Sequence, residues 1–490
     1  MAKKPVYLII DVGTGNVRVA ITETDGHILS LSRQNMDYNR DYDFSNALFF
    51  DPQVILNKIF LAVKEVLLHV NSDEFELQAI TVSSQREGIV LLDMDGIAFV
   101  GYPNHDHRGR AWEQSIGNKD RIYKLTGRNP TSLFSVFKLI GTKKKQPNVF
   151  QKIHKALSIS DWVQYELSGK MGYEHSQASE TLLYDVAKMS WSKELEKIFE
   201  IPLEFMPDLH SSGDILGVVK PEIAKNLMIS PEVVIIVGGS DTQLAIMSTK
   251  PAIKDIIIVS GTTTPCVKLV SEYLLDKSQR TWTGRHTVGK QFVLETNAGV
   301  TGLNIQKLKA LLYPSEGYEQ IERELPNIDS NETLASLGST ISGKSPLNLG
   351  GFFFDVPIGN NLGRAEIFDA ALWDIACSIY ENYCILNELE PDNMDYVWGC
   401  GGGFQSPRLI NYLSGLLKKE IRIRKGFNQA SVSGATVVCN ETLGFDSKVP
   451  DFYTIKFDGN SEVINRRYTQ WKSLRKALHN FETEINSSYE

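Results

Sequence analysis

An apolar run that ends in a carboxylate and a glycine turn opens this chain: Tyr-Leu-Ile-Ile-Asp-Val-Gly-Thr-Gly-Asn over residues 7–16, then an alternating stretch with Val17, Val19 and Ile21 on one face. That pattern predicts strand, tight turn, strand. Gly13 and Gly15 permit close approaches that a side chain would block, so the turn's N–H groups and the Thr14 hydroxyl are free to point at an anion. Asp11, at the mouth of the turn, is suited to hold a divalent cation against phosphate. An ordinary β-hairpin with an Asp in its bend satisfies the same residues. The layout returns once, where the apolar residues 256–259 lead into Ser260-Gly261-Thr262-Thr263-Thr264 and a further strand at 267–269. With Gly261 laid over Gly13, Thr262 falls on Thr14, while Val259 takes the place of Asp11. An echo of this kind implies two related α/β halves, of which the first alone supplies the carboxylate. Lys250-Pro251 reads as the boundary between them.

A chain of 490 residues, 42% of them hydrophobic, is too long for one ordinary core and can build two or three. The net charge of -8, with both signs interspersed, argues against a nucleic-acid or anionic-membrane partner. Lys143-Lys144-Lys145 reads as a solvated loop or helix end. The opening apolar run is broken by Asp11, too early for a signal-peptide core, and no stretch approaches the length of a membrane span. Cys266, Cys377, Cys384, Cys400 and Cys439 are scattered and never spaced as a metal knuckle. Free thiols in a reducing cytoplasm are the expected setting.

Along the first half, Asp25-Gly26 and Asp95-Gly96 predict hairpins, residues 51–70 a helix and 79–83 a strand. Ser84-Gln85-Arg86-Glu87-Gly88 follows at a strand end, where ligands of α/β folds bind. Glu87 is suited to accept from two neighbouring hydroxyls and Arg86 to donate to the same oxygens; a surface ion pair is the alternative. In Asn104-His105-Asp106-His107-Arg108, alternation along a strand would send Asp106 to the face opposite the two histidines, and nothing else nearby completes a ligand set, which disfavours a metal site and leaves Asp106 as a second hydroxyl-binding carboxylate. Residues 110–230 read as mainly helical, with segments at 149–156, 161–167 and 193–199. A strand at 233–237 runs into Gly238-Gly239-Ser240-Asp241 and a helix at 243–247, which makes Asp241 a functional carboxylate or simply that helix's N-cap. In the second half, a strand at 396–398 reaches Gly399-Cys400-Gly401-Gly402-Gly403, rich enough in glycine for a flat ring or a phosphate to lie against the backbone. The apolar stripe over 372–386 reads as core, and 468–481 as a closing helix.

Taken together, Ile-Ile-Asp-Val-Gly-Thr-Gly at 9–15, Gly-Gly-Ser-Asp at 238–241, Val-Ser-Gly-Thr-Thr at 259–263 and Gly401-Gly402-Gly403 resemble the motifs of the FGGY family of carbohydrate kinases, over nearly the whole chain. The resemblance implies two actin-like, ribonuclease H-like α/β domains, each a mixed sheet with flanking helices, residues 1–248 and 249–490, with the active site in the cleft between them. It implies ATP and Mg²⁺ as cofactors and a small sugar or polyol as partner, and leaves a homodimer open. By the same resemblance Asp241 is the catalytic base, with Arg86, Glu87, Asp106 and Thr242 on the acceptor. Asp11 positions the metal, and Thr14, Gly15, Asn16, Gly261, Thr262, Gly302, Gly402 and Gly403 hold the nucleotide. Phosphoryl transfer through a loose transition state needs in-line positioning and charge neutralisation more than a strong base, so an Asp suffices.

For the acceptor, Ser84-Gln85-Arg86-Glu87 is similar to a glycerol kinase segment. Arg86-Glu87-Gly88-Ile89-Val90-Leu91, Asn104-x-Asp106-x-Arg108 and Ile159-Ser160-Asp161-Trp162 look closer to autoinducer-2 kinases, which phosphorylate a linear dihydroxy-dione. Xylulokinases, usually with Met-His near Arg86, and glycerol kinases, usually with Tyr near Leu133, fit less well. An acceptor-independent actin-like ATPase and a sugar sensor are the remaining alternatives. Pro407 and Gln429 depart from the usual Asn and Glu, which puts the adenine contacts near Ser406 and Pro407 in question.

Overall fold

The computed structural model describes residues 3–328, 331–338, 349–359, 362–447 and 451–488. Its opening apolar run is strand β1 (Lys4–Val12), which pairs antiparallel with β2 (Asn16–Glu23), and β2 with β3 (Ile28–Asn35). The second turn is made at Asp25-Gly26, with Gly26 at φ +88°. Helix α1 (Pro52–Leu68) begins with Asp51 accepting from the Gln53 N–H and Pro52 in the first turn, and buries Ile55, Ile59, Ala62, Val63 and Val66. The chain returns as β4 (Phe75–Ser84), longer than expected because it runs parallel to β1 from end to end. After α2 (Ile159–Ser168), β5 (Ile215–Val218) and β6 (Val234–Ser240) complete a six-stranded sheet of order β5-β6-β4-β1-β2-β3, and α3 (Asp241–Ser248) leaves from its edge.

Between β4 and β5 the chain is more mixed than its composition suggests. The helix expected over 149–156 ends at Phe150, and Lys155–Ser158 is instead a strand paired antiparallel with Ile89–Leu92, the first strand of the Asp95-Gly96 hairpin. Short strands also occur at Tyr173–Glu174, Tyr184–Asp185, Ser190–Trp191 and Leu209–His210 among the helices. The three lysines at 143–145 close the helix Ser135–Lys145, where positive charge complements the helix dipole.

The second half repeats the plan of the first. Strand β7 (Ile256–Val259) forms a hairpin with β8 (Thr263–Val270), β9 (Trp282–Arg285) and β10 (Phe292–Val300) follow, and β11 (Tyr396–Cys400) lies parallel to β7 as β4 lies parallel to β1. With β12 (Glu420–Arg424) and β13 (Phe452–Ile455) the order is β9-β10-β8-β7-β11-β12-β13. Helices α4 (Arg364–Leu389) and α5 (Pro407–Leu417) pack on it, α6 (Ala430–Leu443) turns instead to the first half, and α7 (Ser461–Ser488) lies on α4 and α5, with Trp373 and Trp471 fully enclosed.

Two contact zones join the halves and flank a cleft. In one, α6 lies against α3 so closely that a Cβ on Gly434 would stand 1.7 Å from the Leu244 carbonyl oxygen. The same helix reaches the first sheet through Tyr7–Asn440 and Thr22–Thr436 hydrogen bonds of 2.8 and 2.9 Å. In the other, edge strand β9 docks on the first half, with the Thr283 N–H donating to Gly127 at 3.0 Å and the Arg285 N–H to the Ser179 hydroxyl at 3.1 Å.

Candidate active site

Three adjacent strand ends of the first sheet bring the sequence-predicted carboxylates together. Asp11 of β1 stands opposite Ser83 of β4, and Ser83 opposite Gly239 of β6, so Asp11, Arg86 and Asp241 emerge side by side. Asp11 is fully buried. One of its oxygens receives Arg18 and the Ser431 hydroxyl (2.8 Å), while Oδ1 is enclosed with no hydrogen-bond partner. A buried carboxylate oxygen left unmatched is expensive in an ordinary core and fits a place for a cation. Among the described residues no group of three or more His, Cys, Asp or Glu side chains converges as a ready-made cage; an ion bound mainly by phosphate and water needs none.

Asp241 is the first residue of α3 and Ser240 its N-cap, so the capping role considered for Asp241 falls one residue earlier. The Asp241 carboxylate, half-buried, receives the Thr242 N–H at 2.7 Å and the Thr242 hydroxyl at 3.3 Å. Burial, then the charge of Asp11, push its pKa up to about 6 against the pull of Arg86. That balance poises the group to take a proton near neutral pH.

Arg86 and Glu87 are no surface pair. They are 7% and 4% exposed, and Arg86 forks onto Glu295 of β10 with contacts of 2.6 and 2.9 Å. Burial opposes the Arg86 charge, yet Glu295, Glu180 and Glu87 hold its pKa well above the usual value. Glu87 sits at φ +59°, the centre of a three-residue turn closed by the Gly88 N–H on the Arg86 carbonyl at 2.7 Å. A non-glycine residue in that region is strained, and strain of this kind collects at ligand sites. Burial raises the Glu87 pKa and lowers that of neighbouring Lys138.

Asp106 requires a correction. The segment around it is a turn rather than a strand, and Asp106 is fully buried, one oxygen taken by Arg108 Nε (2.9 Å) and the other by the Leu48 N–H (2.8 Å). In this geometry it braces the loop that carries Asn104, and an acceptor hydroxyl cannot reach it. Asn104 in turn donates to the Thr14 hydroxyl at 2.9 Å, and Tyr38 to the Thr14 carbonyl at 2.7 Å, so the first glycine turn is held from outside.

On the other side of the cleft a cavity of about 630 Å³ is lined from both halves, by Asn16, Arg18 and Arg33 at one end and by Gly261, Thr262 and Gly302 beside them. Ile305, Phe368, Leu372, Ile375 and Leu409 supply apolar wall, with Gly402 and Gly403 at the rim. A Cβ on Gly302 would meet the Gly261 carbonyl oxygen at 2.1 Å and one on Gly403 the Ser260 hydroxyl at 2.0 Å, so both are required by loop packing. Gly402 has nothing within 4 Å and opens onto the cavity. A cavity of this size, with apolar wall on one part and arginines and two glycine loops on another, suits a nucleotide. Thr14 and Gly15 are not part of this lining; they stand at the neighbouring turn.

Arg18 was absent from the expected set, although a hairpin turning at 13–15 places it directly across from Asp11. Gln429, a departure from the usual Glu, accepts from Arg18 at 3.1 Å. Glu295, Glu180 and Lys138 were missed because nothing local marks them.

Residues 6–248 match the family model described as the FGGY family of carbohydrate kinases, N-terminal domain. The "Putative sugar kinase YoaC" of Bacillus subtilis is 41% identical over 488 residues, 99% of this chain and 100% of that one. An autoinducer-2 kinase of Escherichia coli is 21% identical over 347 residues, 69% of this chain and 64% of that protein. The crystal structure of Plasmodium falciparum glycerol kinase with ADP superposes with a TM-score of 0.82 at 18% identity, covering 98% of this chain and 99% of that one. That likeness shows the fold: two α/β domains about a cleft.

Proposed function

The chain belongs to the FGGY family of carbohydrate kinases, with the two-domain actin-like fold, and from that premise we propose that it moves the terminal phosphate of ATP onto a primary hydroxyl of a small, neutral, open-chain acceptor. The best-supported acceptor is an autoinducer-2-like dihydroxy-dione or a related ketose, with glycerol and xylulose-type pentuloses as alternatives. The observation that carries this reading is the row Asp11–Arg86–Asp241 on adjacent strand ends, tied by the Asp11–Arg18 ion pair to a cavity of nucleotide size that Arg18 lines.

In this reading residues 1–248 carry the acceptor and the base, and residues 249–490 the nucleotide. Gly261, Thr262, Gly302, Gly402 and Gly403 cradle ATP, with Thr14, Gly15 and Asn16 toward the transferring phosphate. Arg18 lends positive charge at the same end. Asp11 would hold Mg²⁺ through its free oxygen, and the ion would offset phosphate charge. Asp241 accepts the proton of the attacking hydroxyl, steadied by Thr242. Arg86 and Glu87 hold the acceptor's other oxygens, and Asp106 acts indirectly through Arg108 and the Asn104 loop. Closure of the two halves excludes water from the transfer.

Charge supports a neutral acceptor. Arg86 is flanked by Glu295, Glu180 and Glu87, with Asp241 and Asp11 beyond, and Arg128, Arg18 and Lys138 balance them, so the acceptor region carries no surplus of cations to draw in an anionic sugar acid. Work in the cytoplasm, where free thiols persist, is part of the same reading; among the described residues no helix is long and apolar enough to cross a membrane. ADP release and phosphorus NMR across glycerol, xylulose, a five-carbon dihydroxy-dione and gluconate test the reading. Transfer to one of the neutral compounds is expected; a preference for gluconate would contradict the charge argument.

A further inference from the structure

Arg86, in the turn after β4, and Glu295, on β10, are 209 residues apart, yet their side chains meet in a two-bond fork with contacts of 2.6 and 2.9 Å. Both are nearly enclosed, at 7% and 2% exposure. Burying an ion pair costs desolvation that its attraction often only offsets, so stability alone is a poor reason for it. A fork does something else: it fixes the plane of the guanidinium. Here it uses one hydrogen on each terminal nitrogen and leaves Nε–H and the two outer hydrogens free.

Those free donors face two more carboxylates. Nε stands 3.7 Å from Glu87 and Nη1 3.7 Å from Glu180. Both gaps exceed hydrogen-bond length and suit a hydroxyl that accepts from the guanidinium and donates to the carboxylate. Glu180 is itself fixed by a second fork from Arg128, at 3.0 and 2.6 Å, and Arg128 donates onward to the Thr283 carbonyl of β9 at 3.0 Å. Strand β10, which carries Glu295, runs on into Thr301 and Gly302, where the Thr301 N–H meets Thr262 at 3.2 Å beside the nucleotide cavity.

We propose that Glu295 is a positioning residue for the acceptor, supplied by the nucleotide-bearing half. It locks the plane of Arg86 so that its remaining donors, Nε–H beside Glu87 and the outer Nη1–H beside Glu180, are held on opposite edges of the guanidinium, each with a carboxylate next to it, for oxygens of an open-chain acceptor. Acceptor recognition therefore depends on β10 being seated, and the strand that aims Arg86 is the one that delivers Gly302 to the nucleotide. The proposal rests on Arg86 being an acceptor contact, as in the function above.

The test uses the full chain, with glycerol, xylulose and the dihydroxy-dione as probes, on the compound that the unaltered enzyme turns over with the highest kcat/KM. Glu295→Gln keeps the shape and removes the charge; the acceptor KM should rise about tenfold or more, the scale of a lost charged hydrogen bond, while the KM for ATP stays within about twofold. Glu295→Asp keeps the charge with a shorter reach and should show a smaller rise of the same kind, which serves if the Gln variant does not fold. A proportional rise in both KM values, or no change in the acceptor KM, overturns the role of Glu295. A different leading acceptor changes only the substrate ranking, since the KM ratio is still read. An unaltered enzyme that phosphorylates none of the probes overturns the acceptor reading and this role with it.

Discussion

In the proposed reaction Asp241 is the base and Asp11 the charge-organising carboxylate, and the charge of Asp11 acts on Asp241. Because burial and the Asp11 charge raise the Asp241 pKa to about 6, the group stays protonated, and idle as a base, below that value. The acceptor-saturated rate should climb about tenfold per pH unit up to about pH 6 and then level off, a profile read by initial rates at fixed ionic strength. Asp241→Asn should lower kcat about a hundred- to ten-thousand-fold, the usual worth of a general base, with the dissociation constant for ATP nearly unchanged by calorimetry. A variant that retains transfer would remove Asp241 from that part. At this scale the sequence was partly readable. The motif around Asp241 and the register that sets Arg18 across from Asp11 are local, whereas the partners of Arg86 come from residues 180 and 295. Asp106 misled for the same reason: a carboxylate in a polar cluster looks available until Arg108 and the Leu48 N–H are seen to occupy it.

At the level of elements, glycines mark where strands and helices come too close for side chains. Gly434→Ala would drive a methyl into the Leu244 carbonyl and should destabilise the α3–α6 contact by about 1–3 kcal/mol, seen as a lower melting temperature. Gly302→Ala, aimed at the Gly261 carbonyl, should distort the cavity wall and weaken ATP binding even where the protein folds. Gly402→Ala meets no protein atom, so its melting temperature should stay put while the affinity for ATP falls, which calorimetry separates from the other two. The strands, hairpins and longest helices were legible because apolar runs and turn residues are local signals. The first two residues of the strand Lys155–Ser158 were read as the end of a helix because its two apolar residues, Ala156 and Leu157, carry no period, and its pairing with Ile89–Leu92 is decided by the rest of the fold.

Across the whole molecule, the repeated hairpin-plus-parallel-strand plan makes two sheets of related layout. In the proposed site the first supplies Asp11, Arg86 and Asp241, and the second supplies Thr262, Gly302 and Glu295, which forks onto Arg86. The duplication was visible in the echo of Gly13-Thr14 by Gly261-Thr262, but the contacts between halves were not, since α6 and β9 reach across from hundreds of residues away. A site assembled from both halves should be silent until both ligands are in place. The most direct measurement is ADP release by the full chain with ATP and Mg²⁺, with and without a neutral ketose, polyol or dihydroxy-dione. Release that depends on the acceptor and yields one phosphorylated product per ADP is the expected result; equal release without any acceptor would contradict the account.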